Sequence, residues 1–334
     1  MSTLLITGGA GYIGSHTAHA FADRGDRVVV LDDLSTGYLE NLPKSAIFCH
    51  GNAADRDLVS KIIREHRPDA LLHFAGSITV PESIENPLRY YQNNVANSIA
   101  LFQSATAEKL HRVIFSSTAA VYGRGEGWQL VPETATTAPI HPYGWSKLCV
   151  EQILRDMGTA YGTTYAILRY FNVAGADKLG RTGQRGGQSS HLIRSVCEVA
   201  LGIRSHLSIF GADYETADGT CVRDFIHVSD LARAHVEVFD HLVRHDKSVC
   251  LNCGNGRGYS VAEVVHAAEA LTGRRLDVRI APRRPGDPAI LLADPSALMT
   301  SVGWRPEFND IAAIIASALT WERKWRGDRG RAPQ

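Results

Sequence analysis

Charge of one sign is missing from this sequence: Lys plus Arg total 35 and Asp plus Glu total 35, a formal net charge of zero. A chain that lives on nucleic acid or anionic lipid carries a basic surplus, so the balance argues against both partners. Long hydrophobic runs are missing too. No apolar stretch approaches the ~18 residues of a membrane span. The opening residues MSTLLITGGAG have no basic segment leading into an apolar one, so a secretory leader is not expected. A cytoplasmic protein is the default. Cysteines are scattered, at 49, 149, 197, 221, 250 and 253. Only Cys250 and Cys253 form a CxxC. Metal sites of that type come in pairs, so two small residues at a strand end are the plainer reading and no metal is expected. The 14 histidines include no HExxH, and His241 with His245 reads as a solvated helix end.

What is present is a rhythm. Apolar residues make up 44% of the 334, enough for a substantial core. At about 150 residues per domain the length suggests two domains. TLLIT (3–7), RVVVLD (27–32), AIFCH (46–50), ALLHFAG (70–76), RVIFSST (112–118) and YAILRYFN (165–172) read as strands. Helical patterns fall between them, at 12–24, 55–66, 88–109 and 143–161. Continuous apolar strands separated by helices predict a parallel sheet covered on both faces, an α/β fold of the doubly wound, Rossmann type. After Asn172 the rhythm changes, and the Gly-rich segment 175–190 reads as a boundary loop. HLIRSVCEVALG reads as a helix. RDFIHV (223–228), the helix after it and SVCLNCG read as a return to the first sheet. The expected division is therefore 1–172 plus about 223–254 for the larger domain, with 173–222 and 255–330 forming a smaller, interleaved α/β domain. The charged tail RKWRGDRGRAPQ reads as a frayed end.

TGGAGYIG (7–14) follows the first strand and opens the first helix. Gly8, Gly11 and Gly14 permit a tight turn and let backbone approach a pyrophosphate, which the helix N-terminus then binds through unpaired N–H groups. A bare glycine turn would also fit, but Asp32 ends the second strand where a carboxylate accepts bonds from a ribose 2′-hydroxyl. It would repel a 2′-phosphate, and Asp33 adds to that, so NAD is expected rather than NADP.

In HPYGWSK (141–147), Tyr143 and Lys147 stand four apart and so share a helix face. On a surface this is ordinary. Beside a dinucleotide the ammonium would favour the phenolate, and a phenol titrating near working pH can take a proton from a sugar hydroxyl and return it. Lys147 would also bond the nicotinamide ribose. Thr118, ending the strand RVIFSST, lies where open α/β sheets bind ligands and offers a second hydroxyl to the same oxygen.

With these pieces in order, the chain resembles the extended short-chain dehydrogenase/reductases, and within them the UDP-glucose 4-epimerases. The matching stretches are TGGAGYIGSH, VVVLDDLSTG, HFAGSITVPES, PLRYYQNNV, SSTAAVYG, HPYGWSK, LRYFNVAGA, SIFGADYETADGTCVRDFIHVSDLA, RRPGDPA and VGWRP, spanning nearly the whole chain. The resemblance implies Tyr143 as catalytic base and acid, Lys147 as its partner and Thr118 as the hydroxyl. It implies Tyr12, Ile13, Asp32, Asp33, Asn52, Phe74, Asn93 and Tyr170 around NAD. It implies Asn172, His191, Leu192, Phe210, Arg223, Arg284, Asp287 and Leu291 around a UDP-sugar, with two arginines suited to a diphosphate. It also implies a homodimer paired through the helices 88–109 and 143–161.

Some positions depart from the family's pattern. Asn52 replaces an aspartate that meets adenine, Ile78 a lysine near the cofactor phosphates, and His191 an asparagine near the substrate. Leu291 stands where some relatives carry tyrosine at the sugar pocket, so an N-acetylated sugar is expected to fit as well. Relatives that dehydrate nucleotide sugars carry carboxylates directly after the strand-end Thr. Here Ala119 and Ala120 follow Thr118 and have no proton to give, which favours epimerisation at C4. Other UDP-sugars remain open as substrates, and a non-catalytic cofactor scaffold would more often have lost Tyr143 or Lys147.

Overall fold

The computed structural model describes residues 1–125, 128–186, 191–284 and 286–329. Parts of the boundary loop, the RRPGDPA stretch and the tail lie outside them. The strands, in chain order, begin with β1 (Thr3–Thr7), β2 (Arg27–Asp32), β3 (Ile47–His50), β4 (Ala70–His73), β5 (Arg112–Thr118), β6 (Thr164–Tyr170) and β7 (Asn172–Ala174). They continue with β8 (Leu207–Phe210), β9 (Val222–His227), β10 (Val249–Cys253), β11 (Gly258–Ser260), β12 (Val278–Ala281) and β13 (Ile290–Leu291). Seven of them make one parallel sheet in the order β10-β6-β5-β4-β1-β2-β3.

Successive side chains of a strand point to opposite faces, so an unbroken apolar run is stable only where both faces are covered. Leu4 and Ile6 pack with Phe21, Val238, Phe239 and Trp304 on one face. Leu5 packs with Val59, Ile63, Leu101 and Leu154 on the other. Each such burial is worth about 1.5–3 kcal/mol. The first face is covered by the helices Tyr12–Asp23 and Val228–His245, with Phe21 edge-on to Phe239 at 5.7 Å. The second is covered by Arg56–His66, Asn97–Ala107 and Pro142–Tyr161. The single helix expected over 88–109 is instead Pro87–Tyr91, a π-helical turn at Gln92–Ala96, and Asn97–Ala107.

Strand β1 has β2 on one side and β4 on the other. The chain order reverses there, which opens a crevice at the carboxyl ends of the strands. Two loops meet in it: the glycines after β1, and Phe74–Ala75 after β4.

The smaller unit holds a second sheet, β11-β9-β13 with β7 also on β9, and a separate pair, β12 on β8. Strand β9 was expected in the first sheet and is not there. It carries Arg223 and Asp224 near its start, and the wholly buried Asp224 carboxylate accepts the backbone N–H groups of Asn255, Gly256 and Ala293 at 2.8, 2.9 and 3.2 Å. The core of a parallel sheet has no such spare amides. The return to the first sheet starts with the helix after β9 and is completed by β10. A separate core, including Ile193, Val196, Phe225, Val264, Ile314 and Ile315, fills this unit.

His241 departs from the solvated position expected for it. It is buried, because the turn after the helix Ser296–Ser301 packs over that end of its own helix. His245 stays exposed, with the two rings 4.8 Å apart. Cys250 and Cys253 are free thiols within β10. Among the described residues no helix is long and apolar enough to cross a membrane, and no group of three or more His, Cys, Asp or Glu is placed to hold a metal ion.

Candidate active site

The glycine loop is built for close approach. Gly8 has φ +70°, and a Cβ there would lie 2.5 Å from the backbone nitrogen of Ala75, across the crevice. A Cβ on Gly14 would meet the carbonyl oxygen of Gly8 at 2.3 Å. Gly11 is the N-cap of the helix Tyr12–Asp23 and supplies no side-chain cap, which leaves first-turn amides to an anion. The Tyr12 hydroxyl donates to the carbonyl of Gly175 at 2.7 Å, so its side chain reaches toward the boundary loop. Ile13 leans on the core under the loop.

Asp32 closes β2 at 8% exposure and accepts the N–H groups of Ala10 and Leu34 at 2.9 and 2.8 Å. Burial pushes its carboxyl above the usual carboxylate range, and the two amides only partly oppose that. Asp33 accepts Ser35 N–H at 3.0 Å and the Asn52 amide at 3.3 Å, which brings Asn52 to the same edge. The cradle that a Cβ would fill, the uncapped helix end and the strand-end carboxylates fit a dinucleotide.

The π-helical turn sets two asparagines side by side. Asn93 donates to the Ser77 hydroxyl at 2.9 Å, and Asn94 to the Ser146 hydroxyl at 2.9 Å. Such turns often mark functional positions. The ring of Phe74 lies 5.0 Å from that of His235. Tyr170 is 6% exposed, and its hydroxyl meets His235 Nε2 at 2.6 Å. Its polar end is therefore already satisfied inside the core.

The helix Pro142–Tyr161 starts on an N-cap histidine, with His141 Nδ1 accepting Gly144 N–H at 3.1 Å and a proline at the first helical position. This start projects Tyr143 toward the end of β5. There the Thr118 hydroxyl accepts Ala120 N–H at 3.2 Å and faces the Tyr143 phenol. Lys147 is 3% exposed, and its Nζ donates to the carbonyl of Ser116 at 2.9 Å and lies 4.9 Å from the Phe115 ring centre.

Here the electrostatics differ from the expectation. The phenol is pushed up, because burial outweighs the nearby Thr118 hydroxyl. Burial also lowers Lys147 to about 8. An ammonium directed at a carbonyl does little for a phenolate. The protein alone thus sets the geometry of an acidified phenol without supplying the acidity.

The opposite wall comes from the smaller unit. Arg223 pairs with Asp287 at 2.5 Å. Arg284 stacks on the Phe210 ring at 4.0 Å. Two expected ligands, Arg223 and Asp287, therefore bond each other. Leu291 is the register neighbour of Arg223 across β13 and β9, and it packs on the cluster of Ala119, Tyr122, Val131 and Phe171 beside Thr118. Asn172 donates to the Asp224 carbonyl at 3.0 Å, one residue from Arg223. His191 is the N-cap of the helix Leu192–Ala200, and Leu192 leans on the smaller unit's core. Ile78 is 56% exposed.

Four residues of the site escaped the sequence reading: Ser116, Ser117, Glu151 and Arg169. Glu151 continues the four-residue spacing of Tyr143 and Lys147, and Arg169 is a charge inside an apolar strand. Both signals were present.

The model of the NAD dependent epimerase/dehydratase family matches residues 4–254. A UDP-glucose 4-epimerase of Azospirillum brasilense is 50% identical over 98% of this chain and 94% of its own. One of Halalkalibacterium halodurans is 42% identical over 96% of each chain. Among solved structures, UDP-glucose-4-epimerase from Stenotrophomonas maltophila with bound NAD and formylated UDP-arabinopyranose has TM-score 0.95 at 37% identity, covering 98% of this chain and 100% of that one. The UDP-Glc/GlcNAc 4-epimerase of Campylobacter jejuni has TM-score 0.85 at 42% identity, covering 97% and 100%.

Proposed function

The chain belongs to the NAD dependent epimerase/dehydratase family, and from that premise we propose that it interconverts UDP-glucose and UDP-galactose through a transient 4-keto sugar. It is an NAD-dependent isomerase. The observation that carries the reading is the Tyr143 phenol, facing the Thr118 hydroxyl and one helical turn from Lys147, beside a crevice shaped by Gly8 and Gly14.

In this reading the first-turn amides after Gly11, with Asp32, Asp33, Asn52, Phe74, Asn93 and Tyr170 around them, hold the dinucleotide. A nicotinamide held there would supply a hydride acceptor and donor at C4, and its positive charge would supply the acidity that Lys147, bonded to the Ser116 carbonyl, does not give the phenol. Tyr143 takes the proton of the 4-hydroxyl and later gives it back. Thr118 hydrogen-bonds the same oxygen. Arg284, exposed and stacked on Phe210, meets the diphosphate with Arg223. The Arg223–Asp287 pair carries no net charge, and Arg284 adds a positive one to that wall. Asn172, His191 and Leu192 complete the nucleotide end. Anchoring through UDP lets the ketose turn over in the pocket, so that the hydride returns to its other face. Residues 1–172 and about 223–254, apart from β9, which belongs to the second sheet, serve the cofactor. Residues 173–222 and 255–330 serve the nucleotide sugar, with β9 at the seam.

The wall at Leu291 is aliphatic and smaller than the tyrosine that some relatives carry there. The enzyme should therefore turn over UDP-GlcNAc at a rate comparable with UDP-glucose, and no turnover of UDP-GlcNAc refutes that extension. A cytoplasmic location goes with this reading. So does a homodimer: Leu88 at 81%, Trp145 at 45% and Ile99 at 40% exposure form an apolar face on the helices around Pro87–Ala107 and Pro142–Tyr161 that a second copy would cover.

The test of function is direct. Purified protein given UDP-glucose without added NAD should form UDP-galactose to equilibrium with no net NADH, and acid should release one nucleotide per chain. Accumulation of NADH, or absence of UDP-galactose with NAD bound, would overturn the reading.

A further inference from the structure

Arg169 lies in β6, among apolar neighbours, and is 2% exposed; Glu151 lies in the helix of Tyr143 and is wholly buried. Their ion pair is bidentate, Nε to Oε1 at 3.0 Å and Nη2 to Oε2 at 2.6 Å. Taking two charges out of water costs several kcal/mol per ion, and an apolar pair of similar volume often fills such a place without loss of stability. Stability alone therefore does not account for the pair.

What the charges touch offers an account. Glu151 Oε1 also accepts the hydroxyl of Ser117 at 2.6 Å, directly before Thr118. Arg169 Nη1 donates to the Tyr122 hydroxyl at 2.8 Å. Tyr122 ends the short turn Ala119–Tyr122, whose N-cap is Thr118. The Tyr122 hydroxyl in turn donates to Asn252 in β10 at 2.7 Å, and Asn252 N–H to Glu133 at 2.7 Å. Glu151 stands two helical turns beyond Tyr143. The chain is thus held on both sides of Thr118 by a pair anchored in the helix that carries the phenol.

We propose that Glu151 and Arg169 are positioning residues for the epimerisation, fixing the Thr118 hydroxyl against the Tyr143 phenol through Ser117 and Tyr122. The inference rests on the reading of Tyr143 and Thr118 given above. Neither residue touches the substrate. A directional, charge-assisted clamp holds an angle as well as a distance, which an apolar contact does not.

The experiment compares wild type with Glu151→Gln and with the apolar replacement Glu151→Leu/Arg169→Met, reading Tm, bound NAD, KM for UDP-glucose and kcat. Glu151→Gln should lower kcat by ~10–100-fold, the scale of a displacement near 1 Å, with KM and NAD content within about twofold of wild type. The apolar pair should bring Tm back toward wild type and leave kcat low. Should Glu151→Gln not fold, the apolar pair carries the test alone. A well-folded apolar pair with wild-type kcat, or a kcat loss that only follows the loss of folded protein, overturns the proposal. Failure of the underlying reading would look different, since wild type itself would then form no UDP-galactose.

Discussion

The two walls of the cleft are held by opposite means. On the cofactor side, glycine backbone, a buried carboxylate and a buried lysine are locked between two filled cores, and a single added carbon at Gly8 or Gly14 would collide with backbone. On the nucleotide-sugar side, Arg223 of β9 pairs with Asp287 and the exposed Arg284 lies on the Phe210 ring of β8, with Arg284 and Asp287 both outside regular structure, between β12 and β13. The first wall suits a group that stays, and the second a ligand that comes and goes. Substitutions on the first wall should therefore cost chemistry or cofactor, and those on the second should cost affinity.

The largest expected effect lies at the meeting of the two. Tyr143→Phe removes the proton carrier but keeps the ring, so turnover should fall by ~10²–10⁴-fold with bound NAD unchanged. Wild-type turnover in that variant would end the account. Next comes Gly14→Val, whose Cβ would fall 2.3 Å from the Gly8 oxygen. Overpacking of about 1–3 kcal/mol is expected, and the purified protein should contain little nucleotide. Full NAD content by absorbance after acid release would show that the loop is not the cradle. Arg284→Ala follows. A charge-assisted bond to a diphosphate should appear as a rise of ~10–100-fold in KM for UDP-glucose with kcat nearly kept. A fall in kcat at constant KM would move Arg284 to the other side of the comparison.

The first wall was the more legible in the sequence, and for a physical reason. Its strands are apolar on both faces, its turn needs glycine, and its helix spacing is fixed, so local pattern and global fold agree. The main sheet was readable as parallel and doubly wound from those runs. β9 was misplaced because its apolar half, FIHV, looks like the others, while the need of Asp224 for three amides is a tertiary fact. The π-helical turn at Gln92–Ala96 leaves no mark in composition, yet it sets Asn93 and Asn94 side by side. Spacing put Lys147 beside Tyr143, but spacing says nothing of where an ammonium points. The Ser116 carbonyl decides that.

Lys147 gives the smallest effect and the sharpest test of how the first wall treats charge. Its folded pKa is lowered by burial to about 8 from the ordinary 10.5. Between those values the unfolded chain still holds the proton that the folded chain has released, so this residue's contribution to stability rises with pH across the window. Below pH 8 the ammonium is buried in full and its cost is constant. Lys147→Met removes that cost. In protein stripped of nucleotide the variant should be more stable than wild type at pH 7, by a few degrees in Tm at about 2–4 °C per kcal/mol. The gain should shrink steadily as pH climbs from 8 toward 10.5. Paired melting curves over that range decide it. A difference that stays flat or widens with pH would mean that the ammonium is well solvated in the fold, and that the buried side of the comparison is less dry than the packing around Lys147 implies.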